Sequence, residues 1–194
     1  MTRPKRARYR VKASRTTNTY VYCHAAARQA LAQAEREQAG FFYSCMIAGV
    51  FAAFTVEAYL NHLGQERVKG WDILERRLSL RDKLALLCQH LQLSVDHSKP
   101  PFQTLTSMLR LRDALAHGKT ETVVSDAVVD HRPGDGDRWP DPEWVSLCSV
   151  DSARRMVRDS EAMVRDLSTR SGSSGDPFES SGHGSGGVSL VEEN

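Results

Sequence analysis

Cysteine is scarce and scattered in this chain. Cys23, Cys45, Cys88 and Cys148 lie far apart and form no Cys-x-x-Cys pair. That argues against a disulfide framework or a structural zinc site, and for small buried hydrophobes in a reducing compartment. Long apolar runs are missing too. The longest, residues 46–54, is too short to cross a bilayer, and the N-terminus carries charge where a signal peptide would be apolar. The expectation is a cytoplasmic protein without a membrane partner. Glu-x-x-His pairs, a glycine-rich phosphate cradle and a nucleophile elbow are all lacking, which sets aside carboxylate-metal bundles, nucleotide loops and hydrolysis by a serine on a nucleophile elbow. His24, His62, His90, His97, His131 and His183 show no ligand spacing and read as surface residues. No metal and no cofactor is expected.

Acidic residues are absent from the first fifteen positions. Arg3, Lys5, Arg6, Arg8, Arg10, Lys12 and Arg15 stand there, against a net charge of +2 for all 194 residues, so the rest of the chain is mildly acidic. Such an arm reads as disordered. It can track a phosphate backbone by releasing counterions, with Tyr9 available for stacking, or it can be a plain solvated tail.

The length suits one domain of about 150 residues with tails, and a composition 40% hydrophobic can supply its core. A weakly apolar helix is expected over 19–39, with Val21, Ala25, Leu31 and Ala32 inward. After Gly40 a stronger helix is expected over 41–65. Its Phe41, Cys45, Ala48, Gly49, Ala52, Ala53, Val56, Leu60 and Leu63 share a side, small enough in the middle for another helix to come close. Glu57 and Asn61, one turn apart near that side, need partners. They either brace a site or form a polar pair inside the bundle.

A short helix is expected after Gly70, and Ser79 with Asp82 has the spacing of a capping box that starts a helix through residue 91. Lys83 in that helix reads as a charge on a solvated face. Pro100-Pro101 is expected to open the next helix, where Leu105, Met108, Leu109, Leu111, Leu115 and Ala116 form the apolar stripe and Gly118 supplies a left-handed stop. Residues 120–129 and 143–150, rich in Thr and Val or short and apolar, read as a β-hairpin around a Pro, Gly and Asp-rich turn. Trp139 and Trp144 could stack on bases but read first as covers for the hairpin or bundle. A last helix, capped by Asp151 or Ser152, runs to 167 with Met156, Val157, Met163, Val164 and Leu167 inward. Residues 170–194, rich in Ser and Gly, read as disordered. The fold class is thus mainly α: a bundle of four to five helices over 19–169 with a small β-hairpin insertion, between a basic disordered arm (1–18) and a disordered Ser/Gly-rich tail (170–194).

The helix before Gly118 ends in Arg110-Leu111-Arg112-Asp113-Ala114-Leu115-Ala116-His117. The imidazole of His117, in the last turn, sits at the negative end of the helix dipole. Arg112, a polar Asp113 and His117 resemble the Arg, four-to-six residues, His signature of the HEPN superfamily, small all-α domains that include many metal-independent ribonucleases. Glu57 and Asn61 resemble the Glu and Asn pattern of many HEPN second helices, and Lys83 falls where many members carry Lys. Arg110 also fits the loose spacing.

The resemblance spans about residues 20–168. It implies RNA as substrate and cleavage by attack of a ribose 2′-hydroxyl on the adjacent phosphate. His117 would be the general base or acid, Arg112 the phosphate clamp, and Asp113, Glu57 and Asn61 supporting groups. Arg112 and His117, five apart, differ by about 140° in azimuth on a regular helix. The family's usual answer is a homodimer whose composite cleft takes both residues from each copy. The resemblance further admits a toxin or defence effector checked by an antitoxin partner. A non-catalytic helical RNA-binding or protein-interaction module is the alternative.

Overall fold

The structure, a computed structural model, describes residues 8–126 and 139–190. Arg3, Lys5, Arg6 and His131, and most of the expected hairpin turn, lie outside those residues. The rest is mainly helical. Strand β1 (Tyr9–Thr17) leads into helices α1 (Thr19–Arg36), α2 (Phe41–Arg67), α3 (Trp71–Leu74), α4 (Leu80–His90), α5 (Leu105–His117) and α6 (Val150–Arg170), followed by strand β2 (Gly182–Leu190).

Helix α2 is the centre, and α1, α4, α5 and α6 all pack on it. Its small residues make this possible. A Cβ at Gly49 would come within 2.6 Å of Leu111 Cδ2 and 3.0 Å of Met156 Sδ, so α5 and α6 meet α2 at a point where a larger residue would have to displace those side chains. At Gly64 the Trp71 ring occupies the same kind of space. Ser44, Cys45, Ala48, Gly49, Ala52, Ala53, Val56, Leu60 and Leu63 are buried, while Phe41, at the entrance of the helix, is exposed. Among the described residues α2 is also the one helix long and apolar enough to cross a membrane. Here one side of it is the core of a bundle.

The inward side of α1 is turned from the expected one. Tyr20, His24, Ala27, Ala30 and Ala34 are buried, Val21 and Leu31 are partly so, and Ala25 and Ala32 face solvent. An alanine-rich helix carries little apolar contrast, so Tyr20 and His24 decide its orientation. The Ser79 and Asp82 capping box of α4 is present as expected. Helix α6 buries Met156, Val157, Met163, Val164 and Leu167 as expected, but Ser149 caps it, accepting from the Ser152 amide.

Three expectations are corrected. The described parts of the hairpin segment hold no strand: residues 120–126 are irregular and Glu143–Leu147 is a 3-10 turn. The prolines stop short of α5, because a 3-10 turn, Phe102–Thr104, lies between. The two-stranded sheet is formed instead by the arm and the tail, in antiparallel register from Tyr9 opposite Leu190 to Thr17 opposite Gly182.

This ribbon is solvent-exposed along nearly its whole length, and a lone pair of strands is marginal. Its base is therefore what secures it. Asn18 donates its amide to Ser181 O (2.9 Å) and its side chain to Ser180 O (2.9 Å), and the Tyr20 hydroxyl donates to Pro177 O (3.0 Å). Phe178 stacks on His24 with ring centroids 4.1 Å apart, while Arg165 covers the Phe178 ring and pairs with Asp176. Gly182 has φ 123°, and a Cβ there would collide with Thr16 O.

Candidate functional site

The last turns of α5 present their polar groups in two directions. On one side Arg112 reaches α2. Its Nη1 donates to Glu57 Oε2 (2.9 Å) and its Nε to Asp113 Oδ1 (2.8 Å). The other Glu57 oxygen, Oε1, accepts from Lys83 Nζ on α4 (3.0 Å). One carboxylate thus joins three helices.

Lys83 is buried, not solvated as its charge suggested. The signal was present, since Lys83 falls between Leu80, Leu84 and Leu87 on the inward side of α4. A buried ammonium has to be paired, and Glu57 supplies the partner. Asn61, one turn after Glu57, joins nothing: its Oδ1 is buried without a hydrogen-bond partner among the described residues.

On the other side stands His117. It is exposed and lines a cleft of about 650 Å³ with Arg110, Lys119, Glu121, Glu143 and Trp144. Arg110 pairs with Glu143 (2.7 Å), which ties α5 to the 3-10 turn. Trp144 packs towards Phe42 of α2, covering the bundle, whereas Trp139 is exposed. Seven residues make almost two whole turns, so Arg110 and His117 share a face, while Arg112 is turned about 140° away from His117. Within one chain the cleft holds Arg110 and His117 but not Arg112.

The helix end itself departs from expectation. Leu115 and Ala116 are exposed, so the final turn stands clear of the core. Gly118 has φ −55° and is not left-handed. It is needed for space, since a Cβ there would lie 2.4 Å from Ala114 O.

The remaining predicted groups are elsewhere. Arg8, Arg10, Lys12 and Arg15 lie in or beside β1 and are exposed, with Arg15 donating to the Tyr22 hydroxyl. Cys45, Cys88 and Cys148 are buried thiols; burial, with Cys45 adding to it, pushes the Cys148 thiol up to about 11. His24 is buried too, against its reading as a surface residue. Among the described residues, no three His, Cys, Asp or Glu side chains converge as a metal-binding group. Compared with known proteins, the chain matches no family model, and no curated protein or solved structure is significantly similar to it.

Proposed function

We propose that the protein is a HEPN-like, metal-independent endoribonuclease of the cytoplasm, acting as a toxin or defence effector. The observation that carries this reading is the meeting of Glu57 on α2 with Arg112 on α5, at a helix that ends in an exposed His117. These are the two helices on which the resemblance rests. A neutral imidazole can accept the 2′-hydroxyl proton near neutral pH. The ribose O2′ then attacks phosphorus and the bond to O5′ breaks. A proton delivered to that oxygen completes a 5′-hydroxyl product, with a 2′,3′-cyclic phosphate on the other side. A guanidinium stabilises the charge gathering on the phosphate oxygens.

Because Arg112 faces Glu57, its role at the phosphate requires a second copy of the chain, in a composite cleft. Arg110 is the guanidinium that the same chain offers beside His117. The alternative, a non-catalytic RNA-binding or interaction module, is favoured by one fact: Arg112 is already engaged by two carboxylates, as a structural brace would be. The deciding experiment incubates wild type, His117→Ala, Arg112→Ala and Arg110→Ala with transfer RNA in EDTA and identifies the ends formed. Losses of about a hundredfold or more for His117→Ala and Arg112→Ala, with cyclic phosphate ends in the wild type, are expected. Equal activity in all four proteins, or none in any, overturns the nuclease.

A further inference from the structure

A second cleft, of about 470 Å³, lies between the 3-10 turn before α5 and the start of α6. Its size falls in the range of small-ligand sites, about 300–1,000 Å³. Arg155 and Arg158 line it together with Gln103, Ser107 and Ser152, and among the described residues no acidic one does. The His117 cleft differs in this respect, since Glu121 and Glu143 offset its cations.

Arg158 is held in place from beneath. Its Nε donates to Oδ1 of Asp159 (2.9 Å), and the other Asp159 oxygen accepts from Thr104 Oγ1. Asp159 is buried at 3% exposure, so its carboxylate depends on these two donors. With Nε engaged, the two Nη groups of Arg158, which have no hydrogen-bond partner among the described residues, can face a ligand. Arg155, one turn earlier, makes no ion pair among the described residues, whereas its neighbour Arg154 is engaged by Glu35 and Asp151. Two exposed guanidiniums, one pre-oriented by a buried acid, beside hydroxyl and amide donors suit a tetrahedral anion.

The two clefts are neighbours. Leu147 lines both. Along α5, Ser107 in one and Arg110, Ala114 and His117 in the other recur at helical spacing on one face, over about 15 Å of helix. That length accommodates a short run of nucleotides.

We propose that the Arg155 and Arg158 cleft binds a backbone phosphate of the RNA strand whose reacting nucleotide lies at His117. This rests on the RNA reading above and adds the strand's path: over α5, past Leu147, to α6. The cleft makes a binding contribution, and Asp159 acts as a positioning residue for Arg158.

The test uses a labelled, uncleavable 2′-O-methyl oligonucleotide of about twelve residues and follows anisotropy over a salt series. Arg155→Gln and Arg158→Gln should each weaken binding about three- to tenfold, and each should reduce the salt slope by about 0.7, the value for one phosphate contact on a single strand. Arg155 is exposed and makes no ion pair among the described residues, so Arg155→Gln should melt as the wild type does; Arg158→Gln removes one of the two donors of the buried Asp159 and should melt lower, so its binding is read well below that melt. Arg154→Gln should change neither affinity nor slope beyond a small general charge effect.

If wild type binds and both cleft variants match it, this inference falls and the RNA reading stands. A loss as large for Arg154→Gln would assign the effect to overall charge and also overturn it. Saturable binding of a mononucleotide or inorganic phosphate, without binding of the oligonucleotide, overturns it as well. A wild type that ignores the oligonucleotide removes both readings.

Discussion

Lys83 Nζ and Arg112 Nη1 donate to opposite oxygens of the same carboxylate, Glu57, at 3.0 and 2.9 Å. The two cations come from helices that share little sequence proximity, and their common anion sits on the central helix between them. Removing the anion leaves the buried Lys83 unpaired. Glu57→Ala should therefore cost roughly 1–3 kcal/mol, less than a fully buried pair would, because Glu57 is about a quarter exposed (26%). Lys83→Met should cost less than Glu57→Ala, and the double variant less than their sum. Urea titrations measure all three, and strict additivity would show that the groups do not act together.

The composite cleft predicts a concentration dependence. If one active site needs Arg112 and His117 from two copies, specific activity should fall on dilution through the dimer dissociation constant, and below it the rate should approach the square of protein concentration. A dilution series with mass followed by light scattering measures this. Rates proportional to concentration in a demonstrably monomeric sample would assign the chemistry to Arg110 and His117 of one chain.

His24 predicts a stability change near neutral pH. Burial lowers its pKa from the ordinary value, with Arg28 and Arg165 acting in the same direction and Glu161 and Asp176 opposing. The unfolded chain then takes up a proton that the folded chain resists, so stability from His24 is complete above about pH 6.5 and is lost as pH falls towards the lowered folded value. The slope from this group cannot exceed about 1.4 kcal/mol per pH unit. Melting curves between pH 7.5 and 5.5 should show a decline that is shallower in His24→Gln; parallel declines would place the titration elsewhere.

Phe178 is the apolar anchor of the returning tail, stacked on His24 and covered by Arg165. Phe178→Ala should release both strands of the ribbon while sparing the bundle. Amide exchange in residues 9–17 and 182–190 should accelerate at least tenfold, with α2 and α6 protected as before. Unchanged exchange in β1 would mean that the ribbon stands without its anchor.

The α2, α4 and α6 faces were legible in the sequence because Leu, Val, Met and small residues recur there with strong contrast. The face of α1 was not, since alanine looks alike on every side and the two residues that fix it, Tyr20 and His24, are amphipathic. Hydrophobic pattern could not assign the strands. Residues 9–17 and 182–190 pair through their backbones and bury almost nothing, which leaves no apolar signature. Within the candidate site, the nearness of Glu57 to Arg112 could be read from a motif, and the place of Lys83 from its apolar flanks. The Arg155 and Arg158 cleft could not, because Leu147, Thr104 and Arg158 come together only when three distant segments pack.

The pairing of Tyr9 with Leu190 brings positions 181 apart in the chain into register, so the stretch between them forms a closed loop. Closing a flexible loop of that size costs about 4–5 kcal/mol of chain entropy, so the ribbon gains its stability only once the bundle has already brought its two ends near each other. Assembly should then finish at the ribbon, and unravelling should begin there. The order in which the helices are strung is correspondingly unimportant. A permutant joined from Leu190 to Tyr9 and opened between Gly118 and Glu143 retains every helix and the shared carboxylate of Glu57, with α6 and α1 now connected through what had been the two ends.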